Sequence, residues 1–176
     1  MYLNKANLFL VISICLIFFF LTYNNVKSQE PKIISGIAKV VDGDTMKIGK
    51  NKIRLLGIDA PEKKQQCQKP WLSIFFLTFN KDYKCGEIST NKLKIKINNK
   101  LVMCKSYNKD RYNRFIAECY KEKININKWM VSKGYAVAYR KYSKKFVVDE
   151  NIAKKDKLGL WSGSFDMPWI WRKKNK

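Results

Sequence analysis

One short stretch of the chain sets charged groups where a core strand should be. In "IRLLGIDAPE", the apolar residues Ile53, Leu55, Leu56 and Ile58 enclose Arg54, and Asp59 and Glu62 close the run. Charges rarely enter such surroundings unless they are paired or bind a metal. Just upstream, "VVDGDTMKI" supplies Asp42 and Asp44. A hairpin centred on Lys50-Asn51 brings Asp44 and Asp59 to the same end of the ribbon, within about two positions of alignment. Two carboxylates there repel unless a cation lies between them. An all-oxygen donor set suits a hard ion, Ca²⁺ before Mg²⁺ or Mn²⁺, and the Ala60 carbonyl can add a ligand. The alternative is a pair of solvated turns, since DGDT and DAPE are also ordinary turn sequences. Arg54 and Asp59 would stand roughly 16 Å apart on a straight strand. They converge only if the chain curls, and Gly57 is where it can.

The rest of the composition narrows the chemistry. The 176 residues carry 36 Lys+Arg against 14 Asp+Glu, a net charge of +22. Such an excess opposes compactness by self-repulsion and fits a polyanionic partner, nucleic acid first and an anionic membrane surface second. With 46% hydrophobic and 14% aromatic residues, the chain can build a core. There is no histidine. That excludes a Ser-His-Asp triad, a histidine base and a histidine-ligated zinc.

The N-terminus has Lys5 and then an apolar run from Leu8 to Leu21. This is short for a membrane span and suits a signal peptide cut near Ser28, with an uncleaved anchor as the alternative. Cleavage would remove Cys15, Lys5 and Lys27. It would leave 34 basic against 14 acidic residues, a net +20. Residues 1–28 are therefore expected to be a targeting segment, 29–165 a domain, and 166–176 a tail with tryptophans on the domain and a solvated basic end from Arg172 to Lys176. Export implies an oxidising compartment for Cys67, Cys85, Cys104 and Cys119. Three pairings are possible. If Arg111-Tyr112 centre a hairpin in "KLVMCKSYNKDRYNRFIAECY", Cys104 faces Cys119, and Cys67–Cys85 follows by elimination. Free buried thiols are the alternative.

Several elements must position these groups. Residues 33–43 read as a strand and 45–58 as a hairpin turning at Gly49 to Asn51. A helix is expected from Cys85 to about Ile97 with Ile88 and Leu93 inward, followed by the Cys104–Cys119 hairpin. "NINKWMVSKGY" suits a short helix capped by Asn125 or Asn127 and ended by Gly134. "AVAYR" suits a short strand, and "FVVDENIAKKDKLGLW" a last helix ending near Gly159. Residues 63–84 fit no class. The expected fold is mainly β with α: a five-stranded oligonucleotide-binding (OB-fold) barrel packed with helices.

Taken together, "VVDGDTMKI", "IRLLGIDAPE", "DRYNR" and "GLW" resemble the staphylococcal nuclease-like (thermonuclease) family, in the family's order and over about Ile33 to Trp161. The resemblance implies the five-stranded barrel with about three helices, and Ca²⁺-dependent phosphodiester cleavage in DNA and RNA. It implies Asp44, Asp59 and the Ala60 carbonyl as calcium ligands, with Asp42 acting through water. It implies Glu62 as general base, Arg54 and Arg114 on the phosphate, and Arg111, Tyr112 and Tyr139 along the nucleotide. Binding should be sequence-nonspecific and salt-sensitive, and a monomer is expected.

Two departures stand out. Asn113 occupies the place of a turn glycine, and asparagine tolerates the left-handed conformation that such a turn needs. "PWLSIFFLTF" (70–79) inserts an apolar stretch after Glu62. It reads either as a flap folded on the barrel, pinned by Cys67–Cys85, or as a loop binding a membrane or partner. Two rival functions follow: a catalytically inactive nucleic-acid-binding module on the same barrel, or a basic membrane-surface protein held by Leu8–Leu21 and the 70–79 loop.

Overall fold

The computed structural model describes Phe9, residues 12–15 and residues 30–175. The targeting segment expected over 1–28 falls almost wholly outside the described residues. Residues 31–176 form one compact unit.

Five strands close the barrel: β1 (Lys32–Val40), β2 (Thr45–Ile48), β3 (Asn51–Leu55) and, after further elements, β7 (Leu101–Lys109) and β8 (Phe115–Lys121). The order β3-β2-β1-β7-β8 is antiparallel throughout, and β3 then pairs β8 in parallel to seal the ring. Period-two burial builds the inside. Ile34 and Ala38 of β1, Val102 and Cys104 of β7, and Phe115, Ala117 and Cys119 of β8 all point inward. Cys104 stands opposite Cys119 in the ladder, and the two are bonded inside the barrel. The β2–β3 turn centres on Gly49-Lys50, one residue earlier than expected, so Thr45 faces Arg54.

Helix α1 (Cys85–Ile97) buries Leu93 and Ile97 in the barrel core, while Ile88 faces solvent. The inward stripe runs through Gly86, Ser89, Thr90, Leu93 and Ile97 at helical spacing, and position 88 falls off it. Helix α2 (Ile126–Ser132) is capped by Asn125, whose side chain accepts from Lys128 N at 2.9 Å. Asn127 is instead buried, where it accepts from Cys119 N and donates to Leu56 and Ala117 carbonyls. Helix α3 (Val147–Lys155) ends before Gly159, which opens a 3-10 turn through Ser162. The tail forms a further helix, α4 (Pro168–Lys174), with proline in its first turn.

Two short pairings complete the frame. Strands β4 (Ile58–Asp59) and β10 (Val137–Ala138) pair antiparallel, setting Asp59 opposite Val137. Strand β9 (Ile124–Asn125) folds back and pairs antiparallel with the end of β8. Residues 63–84, unclassified from sequence, are an antiparallel hairpin of β5 (Cys67–Ile74) and β6 (Leu77–Tyr83), tied at its base by the Cys67–Cys85 disulfide. Every residue from Gln68 to Asp82 is exposed. The flap is therefore not folded on the barrel.

Candidate functional site

The site begins at a bend. Strand β3 ends at Leu55, and Gly57 takes φ +73, a left-handed conformation that glycine adopts without a Cβ penalty. The chain folds back there, so Arg54 Nη2 donates to Asp59 Oδ1 at 2.7 Å although five residues separate them. The same guanidinium donates to Asp44 Oδ1 through Nη1. Arg54 is thus the shared counter-ion of two buried carboxylates. Burial opposes its charge, but Asp44 and Asp59 hold it above the ordinary arginine value.

Asp44 is fixed from several sides. Its Oδ2 accepts the Ala60 N–H at 2.9 Å, and its Oδ1 also accepts the Thr45 hydroxyl at 3.0 Å. Asp42 Oδ1 accepts the Asp44 N–H at 3.0 Å, which turns the DGDT loop inward. Burial first, and then the nearby Asp44 charge, push the Asp42 carboxyl up to about 6. Burial also raises Asp59, against the pull of Arg172 and Arg54, with Asp44 adding to the rise. Asp42 and Asp59, raised chiefly by burial and further by the Asp44 charge beside them, mark a place where another cation would be favourable.

Glu62 follows on the loop after Pro61. Its N–H is accepted by Gln65 Oε1 at 3.3 Å, and Gln65, itself buried, donates to Asp166 O at 2.7 Å. The start of α1 lies directly against it: a Cβ on Gly86 would stand 1.7 Å from the Glu62 carbonyl oxygen. Only glycine permits that approach.

The tail supplies what the sequence reading missed. Arg172 lies on the site and is not part of a solvated end. Its Nη2 donates to Asp59 Oδ2 at 2.7 Å, and its Nη1 donates to Glu62 Oε1 at 2.8 Å and to Asp59 Oδ1 at 3.2 Å. Trp169, one turn earlier, stacks on Tyr139 with ring centres 5.3 Å apart and planes 8° from parallel. Tyr139 therefore meets a tryptophan of its own chain. The signal was present in "PWIWRKKNK": a proline to start a helix and a tryptophan three residues before an arginine, which places both on one face.

The other expected residues lie on the β7–β8 turn. Asp110 accepts from Arg114 Nε at 2.8 Å, from Arg114 N at 3.0 Å and from Tyr112 N at 2.9 Å. Asn113 takes φ +62 in that turn. Burial of Asp110 is outweighed by these bonds and by the Arg114 charge, so its carboxyl sits below the ordinary value. Tyr112 is exposed, and Arg111 donates to its hydroxyl at 2.7 Å. The structure thus joins Asp42, Asp44, Arg54, Asp59 and Ala60 in one hydrogen-bonded cluster, to which Arg172 links Glu62. Arg114, Arg111 and Tyr112 form a second group around Asp110.

Among the described residues, no three acidic or cysteine side chains converge as a ready metal cage. The donors are nonetheless oxygen only, crowded and underneutralised, which fits a hard divalent cation better than a zinc-type ion. Asp42, Asp44, Asp59 and the Ala60 carbonyl are the groups that could hold it.

Comparison with known proteins gives one family and several relatives. The sequence model of the staphylococcal nuclease homologue family matches residues 52–163. An Escherichia coli O157:H7 protein described as an uncharacterized endonuclease is 35% identical over 144 residues, covering 77% of this chain and 82% of its own length. A Haemophilus influenzae protein of the same description is 33% identical, with 80% of this chain and 73% of the relative covered. The micrococcal nuclease of Shigella flexneri is 30% identical over 80% of each chain.

Proposed function

The chain belongs to the staphylococcal nuclease homologue family and is an endonuclease; from that premise we propose that it is exported and hydrolyses phosphodiester bonds of DNA and RNA with Ca²⁺ as cofactor. The observation that carries the reading is Arg54 held at 2.7 Å on Asp59 while it also binds Asp44, with Glu62 three residues further on.

Phosphodiester hydrolysis needs an oriented water, neutralised phosphoryl oxygens and a departing alkoxide. When bound, Ca²⁺ supplies charge neutralisation on the phosphate. Arg54 is pre-set beside the carboxylates and offers a planar fork to a phosphoryl oxygen as negative charge builds there. Arg114 is anchored through Nε and Nη2 on Asp110, so its outer edge can meet the same anion. Glu62, partly exposed and held by its backbone to Gln65, accepts the proton of the attacking water. Water bonds to phosphorus, the bond to the leaving oxygen breaks, and solvent returns a proton to that oxygen. Tyr112 and Arg111 offer an exposed ring and charge for bases and backbone, without base-specific contacts.

The test is cleavage of single-stranded DNA and of RNA by the purified chain, with Ca²⁺ or with chelator, beside Glu62→Gln. Ca²⁺-dependent cleavage that collapses in the variant supports the assignment. Binding of both polymers without cleavage would point to the inactive nucleic-acid-binding module. Export is tested separately, by the N-terminal residue of the protein recovered outside the cell. A residue near position 29 supports cleavage; an intact Met1 overturns it.

A further inference from the structure

The β5–β6 hairpin has no evident role in cutting a phosphodiester. Its ladder pairs Leu72 with Phe79 and Ile74 with Leu77, which share one face of the ribbon, while Ser73 and Thr78 pair on the other. At the tip, Phe75 is 98% exposed and Phe76 is 92% exposed. Trp71, exposed as well, lies further down the ribbon at a break in register between Pro70 and Leu72. Soluble chains do not ordinarily present such a contiguous apolar patch. It contrasts with the alternation that buries one side of β1, β7 and β8.

The base of the same ribbon is basic. Lys69 lies directly opposite Lys81, and Lys63 and Lys64 are exposed near the stem; Lys84 is exposed too but lies 3.3 Å from Glu87, and Asp82 is the one acid in the ladder. Like charges paired across a ladder repel, and the Tyr83 ring, centred 5.6 Å from Lys69 Nζ, offsets this only in part, so an anionic partner would stabilise the arrangement. A second copy of the chain is a poor partner, because each copy carries +22. An anionic lipid surface matches both ends of the ribbon. Its acyl boundary takes Phe75, Phe76, Ile74 and Leu77, and its headgroups take the lysines.

The lengths agree with that match. At ~3.3 Å per residue, Leu72 and Phe79 stand roughly 10 Å from the tip, within the depth that interfacial segments reach. Trp71 is then at headgroup level, where tryptophan is favoured. Lys69 and Lys81 lie further up the stem, just outside. From these features we infer that the β5–β6 hairpin is a membrane-docking spike, which inserts its aromatic tip into the interface of an anionic bilayer and seats its lysine collar on the headgroups. The Cys67–Cys85 bond and the pairing of Gln68 with Ser164 hold the spike to the barrel.

The inference is tested by flotation with vesicles of phosphatidylcholine alone or mixed with phosphatidylglycerol, at low and high salt. Residues 31–176 are a compact unit with their own core, so that unit is used beside the full chain, which also carries Leu8–Leu21. The expected result is binding to the anionic vesicles only. It should weaken at least about tenfold in the double variant Phe75→Ser/Phe76→Ser and fall with salt in the parent. Both tip side chains are exposed, so the variant should keep its fold and its cleavage of DNA in solution. Equal binding by parent and variant would overturn the spike, since charge alone would then carry the attachment. Failure to float, or a dimer in solution that the variant splits, would overturn it as well, the latter in favour of a second copy. Cleavage in solution is read separately, so failure of the nuclease reading leaves this test intact.

Discussion

Arg172 donates to Glu62 at 2.8 Å and to Asp59 at 2.7 Å, so the last helix of the chain places a cation on the carboxylates of the site. Asp59 is fully buried and keeps company with Asp44. A divalent ion loading onto these groups must compete with a guanidinium already there. Arg172→Ala is therefore expected to bind Ca²⁺ several-fold more tightly, as measured by calorimetric titration. In chelator the same variant should lose about 1–3 kcal/mol of stability, because Asp59 is left with one counter-ion. Added Ca²⁺ should restore its thermal midpoint more than it raises that of the parent. If calcium affinity is unchanged, Arg172 and the metal do not share Asp59.

Glu62→Gln preserves size and keeps a group for Arg172 to touch. Cleavage should fall by roughly 10²–10⁴, the usual contribution of a positioned base. Calcium binding and the unfolding midpoint should move little, because Glu62 is partly exposed and its backbone bond to Gln65 remains. A comparable loss of calcium binding would mean that Glu62 belongs with the metal ligands.

What could be foreseen in the sequence was local. The Cys104–Cys119 pairing followed from hairpin register, because a two-residue period fixes which side chains face each other. Arg54 among apolar neighbours announced a buried partner, and Gly57 marked the only place where the strand could turn back to provide one. What escaped depends on contacts distant in the chain. Gln65 is buried because it links Glu62 to Asp166, more than a hundred residues away. Arg172 and Trp169 sit in a tail whose basic composition reads as solvated, and only the docking of α4 brings them to Asp59 and Tyr139. Ile88 was expected inside on hydrophobicity alone, yet the stripe that α1 buries was set by the close approach of Gly86.

That approach gives a sharper test of how the base is held. Gly86→Ala would set a Cβ 1.7 Å from the Glu62 carbonyl oxygen and 2.6 Å from its carbon, with the Lys63 carbonyl carbon third at 3.0 Å. The atoms met are backbone, which cannot rotate away, so α1 or the Glu62 loop must move. Cleavage should drop by about two orders of magnitude, since small misplacements of a reacting group are costly, and the unfolding midpoint should fall too. Ile88→Ala, on the exposed side of the same helix, should leave both near the parent values.

Acid should loosen the strand behind the site. Glu150 is buried, and its oxygens accept from Ala138 N at 3.0 Å, Arg140 at 2.6 Å and Lys154 at 3.0 Å. Burial alone would raise its carboxyl, but Arg140, Lys154 and the Ala138 N–H together hold it below the ordinary value of 4.5. The folded protein thus binds this proton less readily than the unfolded chain. Its stabilisation is complete above pH 4.5 and is lost as the pH falls through the lower folded value. Ala138 belongs to β10, whose Val137 pairs with Asp59, so loss of this anchor reaches the carboxylate cluster. Glu150→Gln should lower stability by about 3 kcal/mol at neutral pH. It should also flatten the decline below pH 4.5, as followed by urea unfolding at successive pH values. A variant as acid-sensitive as the parent would show that other carboxylates govern the acid limb.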